Sequence, residues 1–149
     1  MSLNNHDILR TAIKILSQRM YSVQELRSKL ISKGYSLADI DLTIAELSHR
    51  HYLDDIALGE LLFNKYHRAG KYSIKQIIFK LSSRGLDSQT IDIILTQHDS
   101  IDETKAALNL VRKRYLNPQS IEPDKMIRYL STKGFPYHVI HHVTDLFSK

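Results

Sequence analysis

One phrase is written three times in this chain, and it constrains the fold more than any other feature. It reads Leu30-Ile31-Ser32-Lys33-Gly34-Tyr35, then Leu81-Ser82-Ser83-Arg84-Gly85-Leu86, then Leu130-Ser131-Thr132-Lys133-Gly134-Phe135. The glycines at 34, 85 and 134 are 51 and then 49 residues apart. Self-similarity at that period is the signature of a repeat architecture. Four residues before each leucine stands another apolar residue, Leu26, Ile77 or Met126. That i, i+4 spacing puts both on one face of a helix. A basic residue and then glycine fit a helix that stops in a left-handed C-cap.

The starts of these helices repeat as well. Ser22-Val23-Gln24-Glu25 and Ser73-Ile74-Lys75-Gln76 are both capping boxes. The third copy departs, with Pro123 where Val23 and Ile74 stand in the others; proline suits a first helical turn. Two residues after each glycine come Ser36, Asp87 and Pro136, which suit a new helix start. Isoleucine follows at 40, 91 and 140, then Ile44, Leu95 and Thr144, then Leu47 and Phe147, the buried stripe of an amphipathic helix.

A further helix precedes each pair. The first is expected over 6–19, with Ile8, Ala12, Ile15 and Leu16 inward. The others open at Leu53-Asp54-Asp55 and Ile101-Asp102-Glu103, where the acids are expected to cap amides. Nothing alternates with period two, so no strands are expected. The reading is all-α: three tandem three-helix repeats of helix-turn-helix type over 1–52, 53–100 and 101–149. Units this small bury thin cores and pack on their neighbours, so an elongated, curved array is expected.

These residues, in this order, resemble the RecX regulatory family. Three stretches carry the likeness: 22–30; Tyr52-Leu53-Asp54-Asp55 with Gly70, 77–81 and Arg84-Gly85-Leu86; and Ala106-Ala107-Leu108 with Arg112-Lys113-Arg114-Tyr115 and 128–135. The likeness spans about Ile8 to Phe147. It departs from the family's usual Phe-Ala after the Asp-Asp pair, where this chain has Leu58-Gly59, and it keeps one glycine, Gly70, where two are often found. The resemblance implies a non-enzymatic modulator that binds the RecA nucleoprotein filament. It would restrain ATP hydrolysis, strand exchange and coprotease action in DNA repair and the SOS response.

Charge points to where such contact would fall. The chain has 21 Lys and Arg against 16 Asp and Glu, a formal net charge of +5. Between Phe63 and Gly85 stand Lys65, Arg68, Lys71, Lys75, Lys80 and Arg84 with no acid, and from Thr104 to Ile121 stand Lys105, Arg112, Lys113 and Arg114, again with none. Phosphates or acidic side chains of a partner would meet such stretches. The candidate partner-binding residues are Lys65, Arg68, Lys71, Lys75, Arg84, Arg112, Lys113, Arg114 and Lys133.

Other readings are weaker. Asp54 and Asp55 read as helix caps rather than metal ligands. His138, His141 and His142 share a helical face but lack the H-E-x-x-H pattern, so a polar face outweighs zinc. The tyrosines recur at repeat junctions, so packing outweighs base stacking. No nucleophile elbow or phosphate loop is present, and no catalytic residue, metal or cofactor is assigned.

Two alternatives remain open: a direct DNA binder of helix-turn-helix type, and a generic helical scaffold. A base reader needs Arg, Asn or Gln early in its recognition helix. The post-glycine helices offer only Gln89 and His138 there. Weak non-specific contact with single- or double-stranded DNA stays open beside the RecA reading. There is no cysteine, no apolar run long enough for a membrane span, and no signal-peptide layout over 1–19. A cytoplasmic monomer is expected.

Overall fold

A computed structural model describes residues 2–148, with side chains described from 6 to 148. Among the described residues there are nine α-helices and no strand. The helices are α1 (Ser2–Leu16), α2 (Val23–Ser32), α3 (Leu37–His49), α4 (Asp55–Arg68), α5 (Ile74–Ser83), α6 (Ser88–Gln97), α7 (Thr104–Arg114), α8 (Pro123–Thr132) and α9 (Tyr137–Phe147). A single 3-10 turn at Pro118–Ser120 leads into α8. The order is three helices used three times, as the repeated phrase requires.

The phrase itself resolves into one backbone device. Gly34, Gly85 and Gly134 have φ of 93°, 86° and 89°. Each glycine N–H donates to the carbonyl three residues back, at 3.0, 2.9 and 3.0 Å, and the next residue's N–H donates to Leu30, Leu81 or Leu130, each at 3.3 Å. This is the Schellman arrangement. It explains three of the constant positions. Glycine takes the left-handed turn, while the leucine and the apolar residue after glycine sit at the two ends of the wider hydrogen bond. Leu30, Leu81 and Leu130 are fully buried, and truncating such a leucine to alanine costs about 2–5 kcal/mol.

Helix starts follow the sequence with one informative difference. Ser22 accepts from Glu25 N–H while the Glu25 carboxylate accepts from Ser22 N–H; Ser73 and Gln76 do the same. Asp54 caps its own helix at Ala57 N–H. Asp55 does not: its carboxylate accepts from Val23 N–H at 3.0 Å, closing the start of α2. Glu103 repeats the device one unit later, accepting from Ile74 N–H at 2.6 Å at the start of α5. At the aligned position of α8 stands Pro123, which has no N–H to satisfy.

Residues in contact cluster into two units. The first comprises 1–61 and 81–94, the second 62–80 and 95–149. The division runs through α4, α5 and α6. The core of the first unit is built on Ile8, Ala12, Ile15, Leu26, Leu30, Ile40, Ile44 and Leu47, the stripe read from the sequence. The core of the second is built on Ala107, Val111, Met126, Leu130, Phe135, Val139, Ile140 and Val143. In α6 the fully buried residue is Ile94, with Leu95 half-buried. Ile94 also accounts for Gly59. A methyl group on Gly59 would lie 2.0 Å from Ile94 Cδ1, so Ile94 occupies the space an alanine there would need.

The glycines do more than end helices. In the first unit, a Cβ on Gly85 would meet Gln24 Cβ at 2.8 Å and Ser22 Oγ at 2.9 Å. In the second, a Cβ on Gly134 would meet Ser73 Oγ at 3.0 Å and Lys75 Cβ at 3.1 Å. The same joint is made twice: the end of one repeat's second helix abuts the start of the previous repeat's second helix. It buries Ser22 and Ser73 completely, and the Ser73 hydroxyl donates to the Lys133 carbonyl at 2.6 Å.

Candidate functional site

The second unit gathers cations around aromatic rings. The Tyr66 and Tyr72 rings meet edge to face at 5.6 Å. Lys80 Nζ stands 5.2 Å from the Tyr66 centroid and 4.8 Å from that of Tyr72. Lys65 approaches Tyr66 at 5.7 Å and Lys71 approaches Tyr72 at 5.4 Å. These are cation–π distances, worth about 0.5–1 kcal/mol each at exposed positions. The physical effect is positional: lysines with free rotamers are biased to one surface.

A second cluster follows the same rule. Tyr115 and Tyr129 meet edge to face at 5.9 Å. The Arg114 guanidinium lies 4.7 Å from the Tyr129 centroid and 5.8 Å from that of Tyr115, and Lys133 Nζ lies 5.8 Å from Tyr129. A cavity of about 390 Å³ joins the clusters, lined by Tyr72, Lys75, Phe79, Lys80, Thr132 and Lys133 among others, with no carboxylate in its wall. A second depression of about 570 Å³ shares Thr132 and adds Arg128 and Lys125 around Tyr129, with one acid, Glu122. The result is one basic, aromatic face within the second unit.

The candidates read from the sequence divide on this geometry. Lys65, Lys71, Lys75, Arg114 and Lys133 fall on the face. Arg112 and Lys113 are exposed on α7 but line neither depression. Arg68 lines a separate cavity of about 490 Å³ whose wall also carries Asp102 and Glu103, so its charge is mixed. Arg84 lies in the first unit and is held there. Its Nε donates to Glu25 at 2.8 Å and its Nη2 to the Met20 carbonyl at 3.0 Å.

The sequence placed Lys80 in an acid-free stretch and the tyrosines at repeat junctions, but it assigned none of them, nor Lys125 or Arg128, to the partner-binding set. One signal was available. Tyr and Lys stand thirteen and five residues before Gly34 and Gly85, as Tyr21 with Lys29 and Tyr72 with Lys80. Both pairs are in contact range, at 5.6 and 4.8 Å.

The carboxylates belong to the scaffold. Burial pushes the Glu25 carboxyl up, but the Arg84 hydrogen bond, the Ser22 N–H and the charges of Arg84 and Arg19 outweigh it, leaving the group below its ordinary value. Asp55 ends above its ordinary value, because burial and the neighbouring Asp87, Asp54 and Glu25 charges exceed the Val23 N–H bond. Glu103 is likewise raised by burial despite its bond from Ile74 N–H. Among the described residues no group of three or more His, Cys, Asp and Glu side chains is placed to hold a metal ion, and no helix is long and apolar enough to cross a membrane.

Comparison with known proteins places this architecture. The regulatory protein RecX of Pelodictyon phaeoclathratiforme is 30% identical over 131 residues, covering 87% of this chain and 81% of the relative. The chain belongs to the RecX regulatory family. RecX of Haemophilus influenzae strain PittEE is 30% identical over 128 residues, covering 83% of each chain. The family's first three-helix domain matches residues 9–47, which span most of α1, all of α2 and most of α3. A crystal structure of RecX from Lactobacillus salivarius shares the fold with a TM-score of 0.86 at 20% identity, covering 99% of this chain and 98% of that one. A second RecX crystal structure gives 0.81 at 22% identity, over 95% of this chain and 73% of the other.

Proposed function

We propose that this chain binds the RecA nucleoprotein filament and restrains RecA's ATP hydrolysis, strand exchange and coprotease action, without catalysing a reaction of its own. Membership of the RecX regulatory family supports the partner. The observation that carries the mode of contact is the basic, aromatic face of the second unit, whose central cavity has no carboxylate in its wall. Such a face attracts phosphate or acidic side chains and holds its cations in place before contact, which lowers the ordering cost of binding. The contact residues are Lys65, Lys71, Lys75, Lys80, Arg114 and Lys133, with Arg112 and Lys113 as flanking charge and Arg68 at the edge of its own cavity. Arg84 acts through the scaffold. The chain works as a cytoplasmic monomer.

The test is single-stranded-DNA-dependent ATP hydrolysis by a cognate RecA with this protein titrated in. The reading predicts a saturable fall in rate. An unchanged rate at saturating protein contradicts it.

A further inference from the structure

Phe79 differs from the tyrosines of the basic face in its exposure. It is 72% exposed on α5 and lines the cavity that joins the two tyrosine clusters, among Lys75, Lys80 and Lys133. An exposed phenylalanine gives up the burial that normally places it. A ring at this exposure, flanked by three cations and by the hydroxyl-bearing Ser131 and Thr132, has the composition of a stacking platform beside an electrostatic track.

We infer that this cavity is a seat for one unstacked nucleobase of single-stranded DNA, the base lying on the Phe79 ring and the flanking phosphates meeting Lys75, Lys80 and Lys133. The seat lies within the face assigned above and rests on that assignment. Three features favour this ligand over an acidic protein segment. The face alternates rings with cations, and every base offers a π-face where an acidic side chain offers charge alone. The cavity volume, about 390 Å³, falls within the range of small-ligand sites. The cavity also carries neutral hydrogen-bonding groups, Gln76, Ser131 and Thr132, which suit base edges or sugar. Duplex DNA is excluded from the seat because its bases are already stacked on one another.

The experiment is fluorescence anisotropy of a labelled oligothymidylate, about 16 nucleotides long to cover one binding module, with the full chain and its Phe79→Ala, Phe79→Trp and Lys75→Gln variants. Phe79→Ala is expected to weaken binding about 5- to 150-fold, the fold-change that base stacking gives, with the salt slope unchanged. Lys75→Gln is expected to lower the salt slope by about 0.7, one phosphate contact to a single strand. Phe79→Trp is expected to bind like the parent, with its indole emission quenched on saturation. Because Phe79 is exposed, circular dichroism melts should not move.

Equal affinity of Phe79→Ala and the parent overturns the proposal, as does unquenched Phe79→Trp emission at saturation. Loss of RecA ATPase restraint in Phe79→Ala with oligothymidylate affinity intact also overturns it, and assigns the ring to a protein contact instead. Phe79-dependent oligothymidylate binding by a parent chain that leaves RecA ATPase untouched supports the seat while removing the RecA reading, so the two fail separately.

Discussion

Replacing Gly34 and Gly85 by alanine, one at a time, separates the two jobs of the repeated phrase. Both glycines lie in the first unit, and their φ angles are nearly the same, 93° and 86°. Alanine in a left-handed conformation costs about 1–2 kcal/mol, partly offset by about 0.4–1 kcal/mol because alanine also stiffens the unfolded chain. Gly34→Ala meets nothing within 4 Å, so its net cost should be about 1 kcal/mol. Gly85→Ala brings its methyl to 2.8 Å from Gln24 Cβ and 2.9 Å from Ser22 Oγ, and that overpacking adds about 1–3 kcal/mol. Neither neighbour can simply step aside. Gln24 Cβ is fixed to its helix, and Ser22 is completely buried with its hydroxyl holding the α2 cap. Gly134→Ala should fall between the two, because its contacts begin at 3.0 Å. Urea denaturation followed by circular dichroism reads the costs as midpoint shifts, with m of about 1–3 kcal/mol/M for small proteins. Equal shifts for Gly34→Ala and Gly85→Ala would refute the argument that the second and third glycines are joints as well as helix stops.

Other expectations follow from the same contacts. Arg84→Ala should cost about 1–2 kcal/mol, a partly solvated share of a charged hydrogen bond, and leave filament affinity unchanged; a matching loss of affinity with unchanged stability would place Arg84 in the interface instead. Gly59→Ala combined with Ile94→Val should be more stable than Ile94→Val alone, since the shorter side chain frees the space beside Gly59 and alanine is about 1 kcal/mol better in a helix. Thermal melts showing no gain would contradict that packing. Asp55 and Glu103 have folded-state values above their ordinary ones, so the folded chain binds protons more readily than the unfolded chain. Their contribution to stability therefore falls as pH rises from the ordinary carboxylate range, about 4, through those raised values. A doubly neutral chain, Asp55→Asn with Glu103→Gln, lacks that term. Its stability relative to the parent should be greatest near neutral pH and shrink on acidification; a gap that widens on acidification would reverse the assignment.

Much of this fold was legible because its signals are local. A Schellman turn needs leucine, glycine and an apolar residue at fixed offsets, and a capping box needs two residues three apart, so Leu30 to Tyr35 and Ser22 to Glu25 announce themselves in one dimension. The contacts that link repeats do not. Asp55 reads as a cap for its own helix, yet it closes α2, 32 residues earlier. Gly85 reads as a helix stop, yet the same atom position abuts Ser22.

The site shows the same division. Acid-free stretches were visible as charge, but charge alone could not separate Arg84, locked onto Glu25, from Lys80, set over two rings. Which cations share a face depends on how α5 and α8 bring Lys75, Lys80 and Lys133 around one cavity, a distance of more than 50 residues along the chain. The tyrosines were read correctly as residues tied to the repeat. Tyr115 is buried, but Tyr66, Tyr72 and Tyr129 are half-buried, so their rings both pack and orient cations.

The central claim is that the basic, aromatic face of the second unit is where the filament is met. Its most direct test is equilibrium binding to preassembled RecA filaments on single-stranded DNA. The parent chain is compared with Lys80→Glu/Arg114→Glu/Lys133→Glu on the face and with Arg112→Glu/Lys113→Glu beside it, each variant checked for unchanged helicity. The account predicts saturable binding by the parent, loss of at least tenfold for the face variant, and a smaller loss for the flanking one. Equal affinity of the face variant and the parent would contradict it.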